Sequence, residues 1–189
     1  MLKLSVSVVL LALVLQPAAY KTEVENFRKQ RAADIGGETG WAALTDLLWL
    51  GNGQFTIGRA ASSALRLNAP SSPERLGVLT VTAQGATLHV APGVTALVKG
   101  QPVTEIQLPA NVAPAAGISV GGMTMAMIER GDKRGLRIWD KVSPTRVNFR
   151  GLQWYPVDEK WRVEAKFVPH QPVPNVRIQN IIGDRKSVV

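Results

Sequence analysis

Apolar and polar residues follow two different periods along this chain, and the change from one to the other falls near Gly36-Gly37. Before that pair, Tyr20 to Asp34 (YKTEVENFRKQRAAD) places Tyr20, Val24, Phe27 and Arg31 at helical spacing, with the Arg stem able to cover apolar surface. Thr22 and Glu25 have the spacing of a capping box, Glu25 stands four before Lys29, and Gly36-Gly37 supplies a helix stop.

After the glycines the period shortens to that of strands. Trp41 to Leu50 (WAALTDLLWL) is a brief apolar run that periodicity alone leaves between helix and strand. The turn signal Gly51-Asn52-Gly53 and the run Gln54 to Gly58 favour a hairpin. Short strands follow over Gly77–Thr82, Ala86–Val90, Ala96–Val98, Val103–Leu108 and Met123–Glu129, separated by Gly and Pro. Evenly spaced strands without intervening helices predict a β-sandwich or barrel.

Gly135 to Asp140 begins a second set, with Leu136, Ile138 and Asp140 on one face and Arg137 and Trp139 on the other. Trp161, Val163, Ala165 and Phe167 alternate with Arg162, Glu164 and Lys166, the clearest half-buried strand pattern in the chain. Pro169, Pro172 and Pro174 make a stiff connection to a last strand over Val176–Ile182. The expected fold is mainly β: an N-terminal helix, a sandwich, and an incomplete second β-rich domain.

Composition fits that reading. The chain has 189 residues, 46% of them hydrophobic, enough for one ordinary domain or two small ones with a real core. Lys3 followed by the apolar run Leu4–Leu15, a break at Gln16-Pro17 and Ala18-Ala19 reads as a secretory signal; the run is shorter than the roughly 20 apolar residues a bilayer span wants. There is no cysteine, so disulfides and thiolate sites are excluded, and with an export signal this points to a periplasmic or secreted protein of a bacterial envelope. The net charge of +8 favours anionic partners, but no cluster of Lys and Arg with interleaved aromatics marks a nucleic-acid surface. Membrane contact is expected only through the signal segment. The expected divisions are 1–19 signal, 20–40 helix and turn, 41–129 sandwich, 130–183 second β-region and 184–189 non-native tail. That tail, DRKSVV, is the string one frame of a common sequencing-library adapter encodes.

Candidate chemistry is sparse. His89 and His170 are the only histidines and form no metal or triad spacing, Gly-x-Ser-x-Gly is missing, and no phosphate loop precedes a helix. Met123, Met125 and Met127 share one strand face, a core pattern before a copper one. Arg130-Gly131-Asp132 reads as a hairpin turn. No catalytic residue, metal or cofactor is expected. The candidate binding set is Arg137, Trp139, Asp140, Arg146 and Trp154: Arg137 positioned to stack on Trp139, Asp140 paired with Arg146 or fixing strand register, and Trp154 part of an aromatic surface. Such a set would suit a sugar, carboxylate or protein ligand. Two functions follow as expectations, a binding or structural module of the envelope, or a hydrolase whose site is completed by a missing C-terminal segment.

Two resemblances add to this. Phe55-Thr56-Ile57-Gly58-Arg59 and Lys99-Gly100-Gln101-Pro102-Val103 resemble the opening strand and a short hairpin of the forkhead-associated-like β-sandwich. That likeness implies phosphothreonine binding through Arg59, the one residue of the family's binding set that corresponds; Ser71 to Arg75 lacks its Ser-x-x-His pattern. In addition, Phe27-Arg28-x-x-Arg31, Gly40-Trp41, Leu48-Trp49-Leu50-x-x-Gly53, Thr56-Ile57-Gly58, Leu136-Arg137-x-x-Asp140, Phe149-x-Gly151-Leu152-x-Trp154-x-Pro156-Val157-Asp158 and Arg162-Val163-x-Ala165-x-Phe167 occur in one order. They look like the bacterial family catalogued as domain of unknown function 1684, for which no activity is established. Members similar to this chain continue past Gly183, so the second β-region is expected to be incomplete.

Overall fold

A computed structural model describes residues 2–108, 110–111, 113–169, 176–179 and 185–188. They fall into two compact units, one of Met1–Asp34 with Arg150–Pro174 and one of Ile35–Phe149 with Asn175–Val189.

The first unit is built on helix α1, which runs Leu2–Gly36. It ends where the glycine pair predicts, but it does not break at Gln16-Pro17. A proline removes one backbone donor, and the turns on either side keep theirs. Because the helix already runs through residue 22, Thr22 is not an N-cap and the capping box does not form. The ion pair seen is Lys21 with Glu25 at 3.9 Å, on the surface. The half-buried face is Tyr20, Val24, Arg28 and Ala32, a strict four-residue spacing, while Phe27 and Arg31 are exposed. The expected stripe was rotated by part of a turn. No helix among the described residues is long and apolar enough to cross a membrane.

The rest of this unit is mostly irregular. The one regular piece is a short 3-10 turn, Glu159–Trp161, whose N-cap Asp158 accepts a hydrogen bond from the Lys160 N–H at 3.1 Å. Trp161 to Phe167 is not a strand, and Trp161, Val163 and Phe167 are all exposed. Alternation describes a residue pattern, but a strand also needs a neighbour for its N–H and C=O groups, and none pairs here among the described residues.

The second unit is a β-sandwich. After a 3-10 turn at Trp41–Ala43 come β1 (Leu44–Leu50), β2 (Gly53–Gly58), β3 (Leu65–Arg66), β4 (Gly77–Thr82), β5 (Gly85–Val90), β6 (Ala96–Val98), β7 (Gln101–Val103) and β8 (Glu105–Leu108). Then follow β9 (Ile118–Val120), β10 (Met123–Arg130), β11 (Lys133–Asp140), the single-turn helix α2 (Pro144–Val147), and the pair β12 (Val176–Gln179) and β13 (Arg185–Val188). One sheet has six strands in the order β1-β11-β10-β9-β6-β7, and the other five in the order β3-β2-β4-β5-β8. Their facing side chains make one core, with Ile57, Leu79 and Leu88 from the smaller sheet and Ile118, Met125, Leu136 and Ile138 from the larger. Met123, Met125 and Met127 all lie in it.

Two expectations change. β1 and β2 are not a hairpin: β1 pairs antiparallel with β11, and β2 with β4, so the Gly51-Asn52 turn carries the chain between sheets. β11 is not the start of another domain, because it is hydrogen-bonded on both sides within the larger sheet. The sandwich therefore extends to Asp140. Of the expected last strand, Val176–Gln179 is a strand and is paired with β13; Asn180 to Asp184 lie outside the described residues.

Turn chemistry holds locally. Lys99 and Gly100 both have positive φ, 51° and 79°, as the two-residue turn between β6 and β7 requires. Gly131 has φ 59° between the paired Arg130 and Lys133, so the Arg-Gly-Asp string is a hairpin turn.

Candidate functional site

The predicted residues separate into four different situations. Asp140 is fully buried at 0% exposure, at the inward end of β11. Its Oδ2 accepts from the Ser71 N–H at 2.6 Å, and its Oδ1 accepts from the Ser71 hydroxyl at 2.9 Å and the Val142 N–H at 3.0 Å. It is not paired with Arg146, whose Nη1 donates instead to the Lys141 carbonyl at 2.6 Å. The expected Arg–Asp pair is thus absent, because the loop before β4 brings amide and hydroxyl donors to the carboxylate first.

A second inward carboxylate does the same on the neighbouring strand. Asp46 Oδ1 accepts from the Asn68 N–H at 2.9 Å and from Asn68 Nδ2 at 2.8 Å. Asp46 points inward because β1 shifts register between Leu44 and Asp46, which sets Asp46 opposite Ile138. Both inward-facing acids therefore clasp the same loop, residues 68–71, which belongs to the connection between β3 and β4. Gly122 makes room for this: a Cβ there would overlap the Ser71 hydroxyl and lie 3.2 Å from Asp140 Oδ1. Asp140, with donors on both oxygens, is a staple, whereas Asp46 holds the loop through Oδ1 alone and its Oδ2 is buried without a partner.

Arg137 and Trp139 lie on the outer face of the larger sheet. Trp139 is buried there against Ala43 and Ala126. Arg137 does not stack on it. Its guanidinium carbon sits 5.8 Å from the ring centre of Trp41, which reaches over from the 3-10 turn before β1. Trp41 is 65% exposed. On β1, Leu47 opposes Arg137 and Trp49 opposes Gly135, and these side chains are 41% and 40% exposed. Gly135 lets the indole of Trp49 lie close, since a Cβ would stand 3.1 Å from it. The Arg137 Nε is buried without a hydrogen-bond partner. Burial, and secondarily the charge of Arg130, hold the Arg137 pKa below the usual arginine value. Trp41 and Trp49 figured in the sequence only as parts of the family resemblance and Leu47 in none of its motifs; the β1–β11 pairing and the turn before β1 assemble them with Arg137.

The remaining two residues stand apart. Arg59 follows β2 and pairs with Glu74 at 2.7 Å, both exposed. Trp154 belongs to the other unit, where Phe27 meets it edge-on with ring centres 6.5 Å apart and Arg28 lies 5.3 Å from its ring centre. Of the histidines, His89 is exposed beside Glu105 at 3.2 Å, and His170 lies outside the described residues. Among the described residues, no group of three or more His, Asp or Glu side chains converges as a metal site would require.

No family model matches this chain, and no curated protein matches it. One solved structure it resembles is the cytoplasmic domain of the T3SS sorting platform protein PscD from P. aeruginosa. The two share 25% identity over 62% of this chain and 87% of that one, with a TM-score of 0.32. At that TM-score the likeness brings no function with it.

Proposed function

We propose that this chain is an exported binding module of a bacterial envelope, related to domain of unknown function 1684, that takes an acidic protein segment on the outer face of its six-stranded sheet. The observation that supports this is the Arg137 guanidinium, unpartnered at Nε and flanked by the exposed Trp41, Leu47 and Trp49. Exposed apolar groups around a cation suit protein recognition, where Trp and Arg supply most of the affinity. Arg130 and Lys133 add positive charge at the end of the same hairpin, so an acidic segment is electrostatically complementary. β1 is an edge strand, and among the described residues no strand pairs with its outer side, the edge to which an extended segment could add. A hydrolase finds less support, since Asp140 accepts two hydrogen bonds from Ser71 in the loop that it clasps and a third from the Val142 N–H.

Panning a displayed random-peptide library against the purified chain tests this. Acidic sequences should be enriched on the native protein and lost on Arg137→Glu and Trp41→Ala. Enrichment of basic or neutral peptides, or turnover on a hydrolase substrate panel, would reject it. Export is tested separately by fusing a reporter active only outside the cytoplasm after Val189; an inactive fusion would reject an envelope location.

A further inference from the structure

The helix-containing unit has a cleft of its own, of about 640 Å³, lined by Tyr20, Arg28, Tyr155, Asp158, Lys160 and Trp161 among others. That volume lies within the range of small-ligand sites, about 300–1,000 Å³. Two of its aromatics are held out into solvent: Tyr155 is 90% exposed and Trp161 74%. Tyr155 has no ring or cation partner among the described residues. Trp161 carries the Lys160 ammonium 5.5 Å from its ring centre and is otherwise open. Leaving two large rings in water is unfavourable unless something covers them.

The charges of the lining do not cancel. Lys160 Nζ pairs with Asp158 Oδ2 at 2.7 Å, so these two neutralise each other. Arg28 lies on Trp154, and no carboxylate pairs with it among the described residues. The cleft therefore presents one uncompensated guanidinium, beside flat apolar rings and a fixed carboxylate–ammonium pair. Planar guanidinium suits a carboxylate bidentately. Exposed rings suit the C–H face of a pyranose, whose hydroxyls would then reach Asp158 and Lys160.

We propose that this cleft binds an acidic sugar, a uronate ring stacked on Tyr155 and Trp161 with its carboxylate on Arg28. The site shares no residue with the outer face of the sandwich, so either can fail without the other. The net charge of +8 adds long-range attraction for polyanionic glycan chains.

The test is isothermal titration of the whole chain with a glucuronate-containing disaccharide, its neutral glucose counterpart and inorganic phosphate. Saturable binding of the acidic disaccharide is expected, at least tenfold weaker for the neutral one and undetectable for phosphate. Trp161→Ala and Arg28→Ala should each weaken it tenfold or more. Arg28→Lys, which keeps the charge and loses the fork, should fall between. Circular dichroism should be unchanged for Trp161→Ala, since its side chain is mostly in solvent. No saturable binding at millimolar sugar, equal affinity for the neutral disaccharide, or full affinity in a folded Trp161→Ala variant would each overturn the proposal.

Discussion

Replacing Asp140 by alanine isolates the structural role of the buried carboxylate. The substitution removes acceptors for the Ser71 N–H, the Ser71 hydroxyl and the Val142 N–H. The hydroxyl can rotate to another partner, but the two amides cannot. A buried donor left unpaired costs roughly 1–3 kcal/mol, so two of them give roughly 2–6 kcal/mol, centred near 4. Urea unfolding of a small domain has a slope of about 1–3 kcal/mol per molar, so the midpoint should fall by about 2 M. Asp140→Asn keeps one oxygen and should lose about half as much. Coupling to Ser71→Ala in a double-mutant cycle should be on the order of 1 kcal/mol, because that substitution removes only the hydroxyl bond to Asp140 Oδ1 and keeps the Ser71 N–H bond. The assay is equilibrium urea denaturation followed by tryptophan fluorescence. A midpoint displaced by less than about 0.3 M would refute the staple and return Asp140 to the list of functional groups.

Other changes separate core, loop and surface in the same assay. Gly122→Ala crowds the Ser71 hydroxyl and the Asp140 carboxylate and should cost about 1–3 kcal/mol. Met125→Ala empties a buried position between the sheets and should cost about 2–5 kcal/mol. Trp41→Ala, at an exposed ring, should change stability by no more than about 0.5 kcal/mol while weakening the acidic peptide roughly 30-fold, as loss of a 2 kcal/mol hot spot would. The Asp158 carboxyl titrates below the usual carboxylate range, first because the Lys160 side chain bonds it and then because the Lys160 N–H does. A depressed folded value means this cap is fully present above the ordinary carboxylate pKa and is lost as pH falls through the depressed one. Carboxyl NMR of Lys160→Ala should show the Asp158 titration moved upward; an unmoved titration would contradict the assignment.

The sequence by itself determined what depends on neighbours a few residues away. The helix stop at Gly36, the strands Gly77–Thr82 and Ala96–Val98, and the Lys99-Gly100 turn all follow from local period and backbone freedom. The burial of Met123, Met125 and Met127 follows from alternation alone. Tertiary structure decided which surfaces meet. β1 looked like the partner of β2 because a turn joins them, yet it pairs with β11, some ninety residues further along. Trp161 to Phe167 has the strand pattern without a strand to pair it. Asp140 was visible as a charge on an apolar face, but its partner Ser71 lies 69 positions away. Arg137 was visible as a cation beside tryptophans, and the tryptophan it takes is Trp41. Side-chain period records how deeply each residue is buried. Pairing and hydrogen-bond partners depend on which distant segments the closed sandwich brings within reach, and no local pattern encodes that.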